Sequence, residues 1–409
     1  MQYIYLILTW LLLTSAAPFT FYLIPGHPYK ILTAAVLILL IGIILIKRQI
    51  KILDWPLFFI ILLQAIYACA AYLYHQDPLY LNLLIFYVSA LITYLFLGSY
   101  IKIMSFAGSV IGVMLIMGAM GAVVFVLGLL GLIQPFTFHL NADGRTAFNF
   151  LLTFSNSVIV FGKAMIIRVA GYFDEPGTFA FFTIYALAMN KLSFDKKWVE
   201  AGLIIFGLFT LSMYFYISLV LYFIFFHFNI RSIRSMLSAM LIMIALIATL
   251  SATNNNAYMK LYELTFDRFS ISDESGKIVK GDNRSDLMAN AAYYISDAPL
   301  MGQGMSNARD NLPFLGANIL GPLAINGIIG FFFIFLPVWY MCAIAFFPLR
   351  GQWVFDSKMA GCALLILVNY LQRPDVIGLF NYIVIVVVIQ LMLIRRRDLL
   401  NKTAGADEN

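Results

Sequence analysis

The chain has 409 residues, 62% of them hydrophobic and only 11% charged, and its mean hydropathy is +0.91. Soluble domains are about 45 to 50% apolar and about 25% charged, because charge has to cover a wetted surface. A soluble chain is therefore excluded. Apolar runs of about 20 residues, enough to cross about 30 Å of hydrocarbon at 1.5 Å per residue, argue against a strand barrel and predict an all-α polytopic membrane protein.

The first run, Met1 to Thr20, has the length of a signal peptide ending near Ser15-Ala16-Ala17. It has no basic start and stays apolar to Ile24, so it reads as an uncleaved first span. Further spans are expected over 30–46, 55–74, 79–98, 109–133, 178–190, 198–212, 214–228, 236–251, 326–348, 357–371 and 376–394, twelve in all. The apolar stretch Phe148 to Ile167 is broken by Ser155, Asn156, Ser157 and Lys163. As a full span it would invert every later loop, so the expectation is an interfacial or re-entrant helix. The polar tail Asn401 to Asn409 reads as disordered.

Orientation follows from loop charge, because cytoplasmic loops are enriched in Lys and Arg. Lys47, Arg48, Lys51, Lys102, Lys191, Lys196, Lys197, Arg231, Arg234, Arg350, Lys358, Arg395 to Arg397 and Lys402 alternate onto one side, fifteen in all. The short loops opposite hold only Lys30 and Arg373. Both termini are then cytoplasmic, and residues 1–409 form a single integral membrane domain with two large periplasmic loops, 134–177 and 252–325, and a cytoplasmic tail, 395–409. The net charge of +6 is thus topogenic, and no nucleic-acid partner is expected.

Polarity that topology does not require is concentrated on the outer side, which receives thirteen of the twenty acidic residues. One cluster is Arg168-Val-Ala-Gly-Tyr-Phe-Asp174-Glu175-Pro176-Gly177-Thr178, leading into an apolar helix. Helix capping accounts for Asp174 and Glu175 equally well, but not for Arg168. A second cluster holds Asp267-Arg268, Asp282-Asn283-Arg284-Ser285-Asp286 and the turn Pro299-Leu-Met-Gly302-Gln-Gly304. The third is Gln372-Arg373-Pro374-Asp375, between the last two spans. Cys69, Cys342 and Cys362 lie in apolar runs with no paired spacing, and His27, His75, His139 and His227 are scattered, so neither a disulfide framework nor a metal site is expected. There is no phosphate-binding glycine loop and no Asp-x-Asp pair.

RxxGxFDEPG at 168–177, Arg284 followed by PLMGQG at 299–304, GPLAINGIIG at 321–330 and Gln372-Arg373-Pro374 resemble, in that order, the O-antigen polymerase (Wzy) family of the O-antigen polymerase and ligase superfamily. The motifs are degenerate and cover about half the chain, from 168 to 375; the first five spans match in hydropathy alone. The resemblance implies a GT-C-like fold in a bacterial inner membrane. It implies a metal-independent, cofactor-free glycosyltransferase facing the periplasm. Its donor would be undecaprenyl-diphosphate-linked oligosaccharide, its setting the lipid bilayer, and its partners a chain-length regulator and a flippase.

The residues suit that chemistry. Guanidinium groups pair with phosphate oxygens and stay charged, so Arg168, Arg268, Arg284 and Arg373 are the candidates for holding the diphosphate as it departs. Glu175 or Asp174 would accept the proton of the attacking sugar hydroxyl. Superfamily ligases carry a His some ten residues before a GxxG that opens a late span; here Gly316-Ala317-Asn318 precedes Gly327-Ile-Ile-Gly330, which favours polymerase over ligase. A flippase for the same lipid-linked unit is the alternative from another class. It would be signalled by Gly or Pro breaks and by ionisable residues within the spans.

Overall fold

The structure is a computed structural model that describes residues 2–16, 40–41, 52–140, 146–161, 164–173, 175–227, 284–310, 312, 319–347, 355–374 and 378–406. It is mostly helical and divides into two compact units. Unit one comprises Met1–Val110, Ala188–Asp195 and Asn283–Asn409, and unit two comprises Ile111–Leu187 and Lys196–Asp282.

In unit one, α1 is Gln2–Ala16, α2 is Trp55–His75 and α3 is Leu79–Phe96. Helix α2 starts on Asp54, whose side chain accepts the Leu57 N–H at 2.9 Å, and Pro56 sits where a missing N–H does no harm. It stops at Gln76, which turns left-handed at φ 52°, and α3 returns antiparallel beside it. Helix α4, Tyr100–Leu129, starts nine residues before the predicted span and belongs to unit one only as far as Val110, its remainder from Ile111 being part of unit two. Lys102 is tolerated in its first turn because Nζ reaches back to the Phe96 carbonyl at 2.8 Å and lies over the Phe96 ring.

Four helices among the described residues are long and apolar enough to cross a membrane: α2, α3, α4 and the last helix, of which Leu379–Asn401 passes that test. A bent pair, α10 (Leu320–Ile334) and α11 (Leu336–Phe346), makes a fifth if it is one span. Their surfaces are what lipid permits. Trp55, Ile66, Leu73 and Ile85 stand more than half exposed along α2 and α3, an apolar area that water would penalise. The expected spans at 30–46 and 236–251 fall outside the described residues, apart from Leu40 and Ile41.

The pair α10–α11 is broken twice, and each break has an identifiable partner. At Gly327 the backbone takes φ 66° and ψ −177°, which interrupts the helical ladder. The Ala324 and Ile325 carbonyls, freed there, accept from Gln303 N–H at 3.0 Å and Gly304 N–H at 2.9 Å. The Ile328 and Ile329 N–H groups donate to Pro299 and Leu300 carbonyls at 2.9 and 3.1 Å. Residues 299–304 thus form a strap laid into the gap. A Cβ on Gly302 would stand 2.4 Å from the Gly327 nitrogen, and one on Gly327 would stand 2.2 Å from the Leu300 carbonyl oxygen, so neither position accepts a side chain. At the second break Pro337 has no N–H for the Phe333 carbonyl. Buried Gln64 on α2 fills that role, its amide donating to the Phe333 and Ile334 carbonyls at 2.9 and 3.1 Å while it accepts from the Tyr382 hydroxyl.

Three further elements complete unit one. Helix α8 is Arg284–Asp297, α9 is Met305–Asp310 and α12 is Ser357–Gln372. Helix α13, Leu379–Ala406, packs against α1, α3 and α11, and Val384 to Ile389 are fully buried. It runs on through Ala406, so Asn401 to Ala406 extend a helix where disorder is expected; Leu399, Leu400, Lys402 and Ala404 favour helix there, against Asn401, Thr403 and Gly405.

In unit two the stretch expected as an interfacial or re-entrant helix is instead β-structure. Strands β1 (Thr137–Leu140), β2 (Thr146–Asn149) and β3 (Phe154–Ser155) form one antiparallel sheet, and β4 (Val158–Phe161) pairs with β5 (Ala164–Ile167) in register Phe161↔Ala164. The reason is local. Val-Ile-Val-Phe is β-branched and aromatic, and only Gly162-Lys163 separates it from its partner, a spacing that closes a hairpin. Phe150, Met165 and Ile167 bury against Val124 of α4. Helices α5 (Pro176–Met189), α6 (Lys197–Leu208) and α7 (Met213–His227) follow; the π-helical turn Asn190–Phe194 between α5 and α6 belongs to unit one.

Candidate functional site

Arg168 follows β5 directly. Its N–H donates to the Ser157 carbonyl at 3.2 Å and its Nε donates to the Thr210 carbonyl at 3.1 Å, which ties the guanidinium to the turn between α6 and α7. The side chain is half-buried. Seven residues on, Glu175 stands at the mouth of α5, where its carbonyl accepts from the Thr178 and Phe179 N–H groups at 3.0 and 3.3 Å. Pro176 at the first helical position explains why the helix starts there. Asp174 and Arg268 lie outside the described residues.

Arg284 and Arg373 belong to unit one. Arg284 opens α8, whose Ala291 buries against Ala324 of α10. Arg373 closes α12, its N–H donating to the Asn369 carbonyl at 3.0 Å, and its side chain is half-buried. Arg168 and Glu175 are therefore elements of unit two, and Arg284 and Arg373 of unit one.

The polar cluster that sequence reasoning missed lies where α2 turns into α3. Asp77 is only 5% exposed and accepts from Ser306 N–H at 2.6 Å, Ser306 Oγ at 2.5 Å and Leu79 N–H at 2.8 Å. One carboxylate thus caps α3 in its own chain segment and α9 from 229 positions away. Desolvation pushes the carboxyl up, but the Ser306, Leu79 and Met305 donors outweigh it and hold Asp77 below its ordinary value. His75 stacks on Tyr80 and directs Nε2 at the Met301 carbonyl, 3.1 Å away. Buried Asn326, just before the break, accepts from the Tyr80 and Tyr67 hydroxyls at 3.1 and 3.4 Å and donates to Pro322 at 3.1 Å. No spacing rule links residue 77 to 306; the only signal was an acidic residue in a tight Gln-Asp-Pro turn.

Helix α2 runs from Asp54 to His75, so a second polar set gathers at the opposite end of unit one. Tyr340 donates to Asp54 at 2.9 Å, and Tyr94 donates to the Asp54 carbonyl at 2.7 Å. Arg395 pairs with Asp356, and Asp195 accepts from Lys191 at 3.1 Å and Lys358 at 2.5 Å. Burial works against the charge of Asp195, yet the two ammonium groups hold its carboxyl low. A cavity of about 320 Å³ lies at this end among Asp54, Tyr100, Gln390 and Arg397. Among the described residues no three His, Cys, Asp or Glu side chains stand together as a metal site would need.

No family model, no curated protein and no solved structure matches the chain.

Proposed function

We propose that the chain is a surface-polysaccharide polymerase of a bacterial inner membrane. It transfers a growing glycan from undecaprenyl diphosphate to the non-reducing end of an incoming lipid-linked repeat on the periplasmic face. The observation that carries this reading is the interlock of PLMGQG with GPLAINGIIG. Two motifs that the resemblance takes from separate stretches of sequence meet through four backbone hydrogen bonds, and the helix headed by Arg284 leads straight into them. Their glycines thereby gain a physical reason that chance similarity would not supply.

In this reading Arg168, Arg268, Arg284 and Arg373 are the diphosphate-binding candidates, each offering paired donors to phosphate oxygens and stabilising charge as the leaving group departs. Glu175 or Asp174 removes the proton of the acceptor hydroxyl as it attacks the anomeric carbon. A single displacement of this kind inverts the anomeric centre.

The flippase reading gains one specific observation, the broken span α10–α11 with its 42° bend. Transporters use such breaks to aim freed backbone groups at their cargo. Here the Ala324 and Ile325 carbonyls and the Ile328 and Ile329 N–H groups are taken by the strap, which leaves that use without free groups. Deletion of the gene separates the readings on a gel of surface polysaccharide. Loss of a polymerase leaves core with a single repeat, loss of a ligase leaves bare core with lipid-linked polymer accumulating, and loss of a flippase leaves neither. An unchanged ladder would end the polymerase proposal.

A further inference from the structure

We infer that Asp77 is a positioning residue for the segment that carries Arg284. The inference rests on the polymerase reading for its consequence in activity, but not for its geometry. Helix α8, the strap 299–304 and α9 follow one another directly from 284 to 310. The strap is held on one side by the broken helix, through the four backbone bonds to residues 324, 325, 328 and 329. On its other side His75 holds Met301, and Asp77 holds the first turn of α9 through both Ser306 donors. The turn between α2 and α3 therefore closes a clasp over the strap.

That clasp adds to the four backbone bonds, because much of the strap's side-chain surface is left uncovered. Leu300 is 61% exposed, Met301 and Gln303 are only half-buried, and the apolar seal beneath α8 is small, centred on Ala291 and Ala324. Without Asp77 two N–H groups and a hydroxyl at the start of α9 lose their acceptor, and the C-terminal end of the strap loses its side-chain tether to the α2–α3 turn. Helix α8 leads into that strap, so the loosening reaches the residue that opens it. Small errors in the placement of a binding group have large effects, about 100-fold in rate for a displacement near 1 Å.

The test uses membranes from the deletion strain carrying each variant, supplied with isolated lipid-linked repeat units, with ladder formation as the readout. Asp77→Ala should reach wild-type levels in the membrane and lose ladder formation by about 100-fold. Asp77→Asn keeps one acceptor oxygen, and is expected to raise KM for the lipid-linked repeat about fivefold with kcat within about twofold, a split that general unfolding would not give. In a Cys69→Ser background, Asp77→Cys with Ser306→Cys replaces the carboxylate–hydroxyl contact, 2.5 Å between oxygens, by a pair of thiols at the same two positions. Oxidation should then restore activity, and reduction should remove it again. Full activity in Asp77→Ala, failure of the thiols to join, or a joined pair with no recovery would each overturn the inference. If wild-type membranes build no polymer, the polymerase reading falls alone. The clasp is then judged by maleimide labelling of Met301→Cys, which should rise when Asp77→Ala is added; unchanged labelling would sink it.

Discussion

Asp77 shows how one residue can couple distant parts of the chain, and its acidity makes the coupling measurable. Its carboxyl is held below the ordinary 3.8 by hydrogen bonds to the charged form. A depressed value in the folded state means that the stabilisation is fully present above the unfolded value and is lost as pH falls through the folded one. The purified protein should therefore keep a constant melting temperature from pH 7 to about 5 and lose an Asp77-dependent part below about pH 4, a loss missing from Asp77→Asn. A pH profile identical in the two proteins would deny the carboxylate this role. Gly327 gives a second residue-scale prediction. A methyl group there would lie 2.2 Å from the Leu300 oxygen with φ at 66°, so Gly327→Ala should destabilise by about 2 to 4 kcal/mol, read as a lowered midpoint in thermal unfolding. A midpoint unchanged from wild type would mean that the strap does not sit in the break.

The elements differ in how far the sequence revealed them. Trp55–His75 and Leu79–Phe96 fall within two residues of the expected spans, because uniform apolarity over 18 to 21 residues admits no other economical structure in lipid. The stretch 148–167 departs from expectation for the same reason: apolarity without a period does not separate a helix from strands. Val158 to Phe161 and Ala164 to Ile167 are uniformly apolar runs of four, with no alternation to mark a strand, and the Gly162-Lys163 pair between them is the available cue. Of the candidate site, the motifs at 299–304 and 321–330 were visible, but their contact was not, since backbone pairing across a broken helix leaves no periodic trace. Gln64 belongs to this scale too. Replacing it with Leu removes the amide that donates to the Phe333 and Ile334 carbonyls and should destabilise by about 1 to 3 kcal/mol. Pro337→Ala restores an N–H to the Phe333 carbonyl, so the double variant should be less impaired than the sum of the two by about 1 kcal/mol. Simple additivity in that cycle would show that Gln64 does not serve the break.

At the scale of the whole molecule, apolar helices account for most of the described chain, and most of its charged groups lie near helix ends rather than within the spans. In unit one the sorting is by end: Asp54, Asp356, Arg395 and the Asp195 pairings on one, His75, Asp77, Ser306 and Asn326 on the other. The proposed topology assigns the first end to the cytoplasm and the second to the periplasm. Tyr293, 70% exposed on α8, should as Tyr293→Cys react with a membrane-impermeant maleimide in cells whose inner membrane is intact, whereas Asn401→Cys should react only after that membrane is opened. The reverse pattern would invert the topology and with it the side on which the donor must be presented.

The proposed polymerase builds polymer from a lipid-diphosphate donor without a second protein. The purified protein in proteoliposomes, given undecaprenyl-diphosphate-linked repeat units and a chelator but no nucleotide sugar, should yield a ladder of lengthening lipid-linked glycans, and Arg284→Ala at equal protein should yield none. Repeat units that remain monomeric with the wild-type protein would overturn the proposed polymerase, and an undiminished ladder with Arg284→Ala would remove that residue from the diphosphate site.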